Sequence, residues 1–260
     1  MSTTTAITYL GHATVLIEMD GLRLLTDPAL TSRIAHLRRV TAAAEPATYQ
    51  DIDAVLISHL HADHLDLRSL RLLDVSIRVL APVGSAHLLS KLGLKQVDEF
   101  RIGEVIRLGA LSIRSTHAEH RGFRYPFGPD GDAMGFLIKG SQSIYFAGDT
   151  DLFNGMAEVE PELDVALLPV WGWGPTIGGG HLSPRTAAEA LKLLRPRMTV
   201  PIHWGTYCPI GLEWLNPSFL SRPPKEFEKA ANATAPDVRV HILAPGAGIE
   251  LTGGIWNAHT

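Results

Sequence analysis

The segment His59-Leu60-His61-Ala62-Asp63-His64 directly follows the apolar run Ala54-Val55-Leu56-Ile57-Ser58. A short apolar run of this kind is typical of a buried strand, and functional side chains collect in the loops where such strands end. His59 and His61 are two residues apart, so they point the same way on an extended chain and to nearly opposite faces on a helix. Because four of the six side chains are potential ligands, we predict a metal-binding loop at a strand end.

Three further residues with ligand-type side chains are distant from this loop in the sequence. Asp149 comes shortly after the predicted strand Ser143–Phe146, and His203 follows the predicted strand Thr199–Ile202. His120 closes another β-rich stretch. The ligands divide naturally between two ions: His59, His61 and His120 on the first, Asp63, His64 and His203 on the second, with Asp149 bridging.

Imidazole and carboxylate ligands without thiolates suit Zn²⁺, Mn²⁺ or Fe²⁺, and zinc is the metal we expect. Two divalent ions about 3.5–4 Å apart can share a water and lower its pKa, which makes hydroxide available near pH 7. The same ions polarise a carbonyl or phosphoryl oxygen and stabilise the charge that develops on it. The pattern therefore predicts a hydrolase whose metal-bridging hydroxide attacks a phosphodiester, a lactone or another ester.

Composition excludes several other classes of protein. The single cysteine, Cys208, excludes an internal disulfide framework and a structural zinc site built on several cysteines. Lysine and arginine number 23 against 27 acidic residues, so the net charge of −4 argues against a nucleic-acid partner. With neither a run of about 18 apolar residues nor a signal peptide, we expect a cytoplasmic protein without a transmembrane segment. The oligomeric state stays open.

Strand-like and helix-like segments alternate along both halves of the chain. Ser183 and Pro184 give the N-cap and N1 signals of a helix that continues to Leu194. In each half a buried strand is followed directly by a cluster of His or Asp residues. We therefore predict two similar α/β halves within a single domain, residues 1–260. Three further helices are predicted, at Leu67–Leu73, at Ser85–Leu92 before the C-cap Gly93, and at Lys225–Ala231.

The chain resembles the metallo-β-lactamase superfamily, whose signature His-x-His-x-Asp-His stands here at His59 to His64. The stretches Gly11 to Leu16, Leu25 to Pro28 and Ile202 to Thr206 are similar to the branch that holds N-acyl-phosphatidylethanolamine phospholipase D and ascorbate-6-phosphate lactonase. The resemblance implies a four-layer αββα sandwich with a dinuclear metal site at one edge of the two sheets. It also implies the division of ligands between two ions given above.

One position departs from the pattern of that branch, which often has Pro-Ala-x-His at the third ligand. The aligned stretch here is His117-Ala118-Glu119-His120, so His117 and His120 compete for this role. The register favours His120, and the other histidine would then support a ligand.

The resemblance also implies supporting roles for three residues. His12 and Asp27 are expected to hold ligand imidazoles in their tautomer and orientation, although Asp27 could equally cap a turn. His181 precedes the predicted helix, and in the branch a histidine at this place faces the substrate. The positive end of the helix would help His181 to bind a phosphate or carboxylate or to steady an oxyanion. The alternative is a surface loop histidine.

Aromatic and basic residues near the predicted ligands are candidates for the substrate pocket. Trp171, Trp173 and Tyr207 are expected to line it, although packing beneath a loop would explain the two indoles as well. Arg121 and Arg124 either contact an anionic substrate or form a solvated pair.

Three functions compete at this stage. A metal-dependent hydrolase of a small ester or phosphate leads, with Asp63 accepting or orienting the proton of the nucleophile. An iron-dependent oxidoreductase on the same fold is disfavoured, because flavodiiron-type relatives usually carry a carboxylate where this chain has His61. A metal-binding protein without turnover is disfavoured too, since it would not need to keep the whole ligand set.

Overall fold

The computed structural model describes residues 4–124, 128–215, 217–252 and 255–259. The first half contains the strands β1 Thr5–Gly11, β2 Thr14–Met19, β3 Leu22–Thr26, β4 Arg33–Ile34, β5 Leu37–Arg39, β6 Ala54–Leu56, β7 Arg78–Pro82 and β8 Gln96–Phe100. The second half contains β9 Val105–Leu108, β10 Leu111–Arg121, β11 Asp132–Lys139, β12 Ser143–Phe146, β13 Val165–Pro169, β14 Met198–Ile202, β15 Tyr207–Pro209, β16 Arg239–Val240, β17 Gly248–Thr252 and β18 Ile255–His259. The helices are α1 Leu67–Leu70, α2 Ala86–Leu89, α3 Pro184–Leu194 and α4 Arg222–Thr234.

Two large sheets are built on the same plan. The first has the order β18-β17-β1-β2-β3-β6-β7-β8, and the second has the order β16-β14-β13-β12-β11-β10-β9. In the first sheet β1, β2 and β3 pair antiparallel, whereas β3, β6, β7 and β8 pair parallel. In the second sheet β9 to β12 pair antiparallel, whereas β12, β13, β14 and β16 pair parallel. The prediction of two similar halves is therefore confirmed.

One apolar core lies between the two large sheets. Ile7, Val15 and Leu56 of the first sheet are fully buried in the same cluster as Phe136 and Leu167 of the second. These side chains come from the inward-facing positions of both sheets, where burial of apolar surface supplies most of the driving force for folding.

The helices cover the outer faces of this sandwich. Leu70 of α1 and Leu89 of α2 pack in one cluster with Val79 of the first sheet. Leu191 of α3 and Phe227 of α4 pack with the outward-facing residues of β12 and β13 in another. Helix, sheet, sheet and helix follow one another, so the predicted αββα sandwich of the α/β class is confirmed.

The best-signalled helix forms as predicted, and others differ in length. The Ser183 hydroxyl accepts a hydrogen bond from the Thr186 N–H, and the Thr186 hydroxyl accepts one from the Ser183 N–H, which fixes the start of α3. The helix predicted from Leu67 ends at Leu70 rather than at Leu73. The segment predicted as helix over 85–92 is α-helical only over 86–89, tightens to a 3₁₀ turn, and ends at Gly93 with a φ of 72°.

Three strands of the first sheet, β7, β8 and β18, were not predicted. Among the strands that the structure describes, β8 pairs with β7 alone, at the edge of the sheet, and its sequence Gln96-Val97-Asp98-Glu99-Phe100 is too polar to look like a buried strand. β7 carries Arg78 and ends at Pro82, which breaks the apolar pattern. Within the described ranges no helix is long and apolar enough to cross a membrane.

Candidate metal centre

The predicted ligands meet where strands of both sheets end. The ligand loop leaves the C-terminal end of β6, Asp149 follows β12 and His203 follows β14. The carboxyl ends of parallel strands lie at one edge of a sheet, so each half delivers its polar residues to the same place. Gly148 allows the halves to approach closely, because a Cβ added there would lie 2.7 Å from Ser58 Cβ and 2.9 Å from the Met134 carbonyl oxygen.

Two sets of donor residues lie close together at this edge. The set that we call the first group comprises His59, His61 and His120. His59 Nε2 lies 2.9 Å from His61 Nδ1, and His120 Nε2 lies 3.3 Å from the same atom. The donor atoms of the three side chains lie within 4.8 Å of one another. His59 is buried, whereas His61 and His120 are half-buried, so this group borders the surface.

The second group comprises His12, Asp63, His64 and His203, whose donor atoms also lie within 4.8 Å of one another. His64 Nε2 lies 3.1 Å from His203 Nε2, and His12 Nε2 lies 2.9 Å from Asp63 Oδ2. The three imidazoles are almost completely buried. His12 therefore contacts the candidate ligand Asp63, and its predicted supporting role stays a prediction.

Asp149 lies between the two groups. Its Oδ2 is 3.1 Å from His64 Nε2, and its Oδ1 is 3.3 Å from His203 Nε2. Asp149 also shares donor groupings with His59 and with His120. The Oδ1 atom is buried, and it accepts no hydrogen bond from any residue that the structure describes. An uncompensated buried carboxylate oxygen is costly unless a cation offsets it.

The residues present fit divalent metal ions. Imidazole nitrogens and carboxylate oxygens approach one another closely in both groups, and these are the donors that zinc, manganese and iron accept. The predicted division of ligands corresponds to the two groups, with Asp149 placed where both can reach it. Which residues bind a metal stays a prediction.

A buried network orients two of the candidate ligands. Asp27 Oδ2 lies 2.8 Å from His64 Nδ1, and its other oxygen accepts a hydrogen bond of 2.7 Å from the Ser58 N–H. The Ser58 hydroxyl lies 2.5 Å from Asp27 and 2.9 Å from His59 Nδ1. Asp27 therefore holds both imidazoles, one directly and one through Ser58, as expected for groups that fix ligand tautomers. The role of Ser58 was not predicted, although the sequence places its hydroxyl directly before the first candidate ligand, His59.

Backbone carbonyls orient two more imidazoles. His120 Nδ1 lies 2.7 Å from the Gly180 carbonyl oxygen, and His203 Nδ1 lies 2.9 Å from the Trp171 carbonyl oxygen. When Nδ1 donates to a carbonyl, Nε2 keeps its lone pair, which is the form that binds a metal.

Electrostatics favour the ligand forms of most of these side chains. Burial lowers the pKa of His61 to about 4 and the pKa of His203 to about 3. Burial likewise holds the pKa of His59 well below its usual range. Neutral imidazole is the form that ligates, so protons compete weakly for these nitrogens.

The carboxyl groups and two other histidines are tuned by one another. Burial opposes ionisation of Asp63, but the hydrogen bond from His12 and the charges of His64, His12 and His203 together outweigh it, so the pKa of Asp63 lies well below the usual range. Burial is likewise outweighed at Asp149 by the charges of His203 and His64, so its pKa is also low. Asp149 in turn raises the pKa of His64 well above normal and that of His181 to about 9, again against burial.

Three residues of the site have backbones in the left-handed region that favours glycine. The φ angles are 58° for His12, 33° for Asp27 and 62° for His203. Non-glycine residues in this region are strained and persist only where the surroundings hold them. Here the His203 N–H donates to the His12 carbonyl oxygen at 2.7 Å, which joins the two strained segments across the sheets.

The mouth of the site is a cavity of about 530 Å³. It is bordered by both half-buried members of the first group and by His181, and also by Glu119, Arg121, Asp151, Gly179 and Gly180. His181 Nε2 lies 3.4 Å from Asp149 Oδ2. His117, the competing third ligand, is half-exposed, faces Glu119 and Phe153, and lies outside both groups.

The aromatic residues predicted for the pocket are not among those that border this cavity. Tyr207 is buried, and its hydroxyl donates to the carbonyl oxygens of Ala29 and Thr31 at 3.0 and 2.6 Å. Trp171 donates its indole N–H to the Gly174 carbonyl oxygen, and Trp173 packs edge-on against His36. These side chains support the loops around the site, and Trp171 also provides the carbonyl that orients His203.

Comparisons with known proteins agree with this geometry. A family model described as the beta-lactamase superfamily domain matches residues 22–204. A UPF0173 metal-dependent hydrolase of Methanopyrus kandleri is 32% identical over 256 residues, which cover 94% of this chain and 99% of that protein. Another, from Pyrococcus furiosus, is 30% identical over 262 residues, with coverage of 94% and 99%.

A solved structure is also similar over nearly the whole chain. It is that of Igni18, described as a novel metallo hydrolase from the hyperthermophilic archaeon Ignicoccus hospitalis. The two chains are 26% identical with a TM-score of 0.73, and the match covers 96% of this chain and 99% of that one. Because the family model spans most of the chain and relatives at least 30% identical match nearly all of it, the chain belongs to the UPF0173 family and is a metal-dependent hydrolase of the metallo-β-lactamase superfamily.

Proposed function

We propose that this protein is a dinuclear hydrolase that cleaves a small phosphodiester, lactone or other ester and uses zinc, with manganese or iron as alternatives. The observation that carries the proposal is the presence of two donor groups joined by Asp149. The first group and Asp149 would hold one ion, and Asp63, His64, His203 and Asp149 would hold the other. When bound, two divalent ions lower the pKa of water and polarise the oxygen of the bond that is cleaved.

The side chains of this protein would then handle protons and charge. Asp63 is ionised and partly exposed beside His12, so it can accept or orient the proton of the attacking water. His181, whose pKa Asp149 raises to about 9 against the effect of burial, favours the protonated form as long as Asp149 carries no metal. It borders the mouth cavity, where its N–H groups can steady an oxyanion or a substrate phosphate.

The cavity supports a substrate of modest size. Its volume of about 530 Å³ lies within the range of small-molecule sites. Phosphodiester and lactone substrates require the same ions, and the resemblance to the branch of N-acyl-phosphatidylethanolamine phospholipase D and ascorbate-6-phosphate lactonase is compatible with either. Arg121 borders the cavity together with Glu119 and Asp151, so the fixed charges of the lining do not select among these substrates.

The test measures the metal content of the purified protein and its hydrolysis of bis-p-nitrophenyl phosphate and a panel of lactones and esters. We expect two equivalents of zinc or manganese per chain and metal-dependent turnover. His59→Ala should lose metal and activity together, because His59 contributes to the first group and to the grouping around Asp149.

The matched control for this test is His87→Ala, since His87 is an exposed histidine outside the donor groups. Full metal content and activity in His59→Ala would contradict the proposal. Iron with dioxygen chemistry, or no turnover on any ester in the panel, would contradict it as well.

A further inference from the structure

Arg124 lies on the loop after β10 and has a partner that its sequence position did not suggest. Its side chain is half-buried, and its Nη1 donates hydrogen bonds to two backbone carbonyl oxygens. The distances are 2.8 Å to the Leu60 oxygen and 2.9 Å to the Leu65 oxygen. The guanidinium is therefore used within the protein and is not simply a solvated cation.

These two carbonyls belong to the two ends of the ligand loop. Leu60 separates the first two histidines of the motif, and Leu65 follows the last one. Both leucine side chains are fully buried, which anchors the loop to the core. Within the loop, the His61 carbonyl oxygen accepts from the N–H groups of His64 and Leu65 at 3.1 and 2.8 Å. Arg124 closes this turn from outside, because one nitrogen bonds both of its ends.

The charge of Arg124 suits this position. A guanidinium stays protonated at all ordinary pH values and offers several N–H donors in a fixed plane. The Asp63 and Asp66 carboxylates are the acidic groups that interact with it electrostatically. Asp66 is also the N-cap of α1, where it accepts from the N–H groups of Arg68 and Ser69. The cation thus faces a segment that carries negative charge.

Arg124 is itself held in place by its backbone. The Arg124 N–H donates to the Pro129 carbonyl oxygen at 3.1 Å, and the Gly128 N–H donates to the Arg124 carbonyl oxygen at 2.8 Å. A side chain that is fixed at its root and bonded at its tip can restrain the loop that it contacts.

We propose that Arg124 is a positioning residue for the metal centre: by tying the Leu60 and Leu65 carbonyls together, it holds the ligand loop in the geometry that binds metal. The proposal rests on the proposed function, since it assumes that the His59–His64 loop binds metal. Groups that orient metal ligands typically change metal affinity by about 10–100-fold when they are removed.

The experiment compares Arg124→Ala, Arg124→Lys and Arg107→Ala with the unmodified protein. Arg107 is an exposed arginine on β9 and serves as the matched control. Zinc affinity is measured by competition with a chromophoric chelator, and the cobalt-substituted proteins are compared by their visible absorption spectra. The free energy of unfolding of each metal-free protein is measured in urea.

We expect Arg124→Ala to bind zinc about 10–100-fold more weakly and to shift the cobalt spectrum, in addition to the loss of metal-free stability that comes from two carbonyls left without a donor. Arg124→Lys should recover part of the affinity, because lysine restores a cationic donor. Arg107→Ala should behave like the unmodified protein. If Arg124→Ala does not fold, the proposal is tested by comparing Arg124→Lys with the unmodified protein. A tenfold loss of zinc affinity together with an altered cobalt spectrum in Arg124→Lys would support the proposal.

If the folded Arg124 variants have the same zinc affinity and the same cobalt spectra as the unmodified protein, this inference is overturned. A loss of metal-free stability without any change in the cobalt spectrum would also overturn it, since Arg124 would then support only the fold. If the unmodified protein itself binds no metal, the proposed function fails instead. The two failures are therefore distinguishable.

Discussion

The two donor groups are similar in composition but differ in how the protein surrounds them. The first group has two half-buried histidines that border the mouth cavity. The histidines of the second group are almost completely buried, and its carboxylate, Asp63, has a side chain that is 14% exposed. Asp27 lies behind the second group and is fully buried against His64. The first group is thus the side that a substrate can reach, whereas the second is part of the interior.

The largest effect should come from breaking the second group at its most buried member. We expect His64→Ala to lose metal and to lower the free energy of unfolding of the metal-free protein by about 3–5 kcal/mol, because it leaves Asp27 without its buried partner. His61→Ala in the first group should lose metal while changing that free energy by about 1 kcal/mol or less, as at other partly exposed sites. Urea unfolding of both chelator-treated variants measures the difference. Equal stability losses would show that the two groups are not distinguished by their surroundings.

A smaller effect is expected from Asp27→Asn, which removes the charge behind the second group but keeps the size of the side chain. The amide can no longer hold His64 and Ser58 as the carboxylate does, so we expect zinc affinity to fall by about 10–100-fold. Chelator competition measures this loss, and Asp53→Asn, at an exposed aspartate, is the matched control. If Asp27→Asn binds zinc as tightly as the unmodified protein, Asp27 supports only the fold and does not orient metal ligands.

The smallest effect is expected from the removal of His117, the competing candidate for the third ligand. His117 is half-exposed outside both groups, whereas His120 Nε2 faces His61 in the first group. His117→Ala should therefore keep its zinc content and its activity within about twofold, as is usual for surface substitutions. His120→Ala should lose metal. Metal analysis of both variants decides between them, and the reverse result would transfer the ligand role to His117.

Local signals explain which parts of the fold were predictable. The α3 cap at Ser183 could be predicted because it depends on residues that are close in sequence. The edge strand β8 could not, because its polar residues form a strand only by pairing with β7. The packing of Tyr207 was equally hidden, since its hydroxyl partners are the carbonyls of distant residues.

The sequence by itself determined the ligand loop, the superfamily and the residue types available for metal binding. Four potential ligands within six residues are a local signal that no other part of the chain needs to complete. The tertiary structure alone decided that His12 joins the second group, that Ser58 links Asp27 to His59, and that Arg124 closes the ligand loop. Each of these contacts depends on the register between two sheets or between a sheet and a loop. That register is set by burial of the shared core, and no local sequence pattern records it.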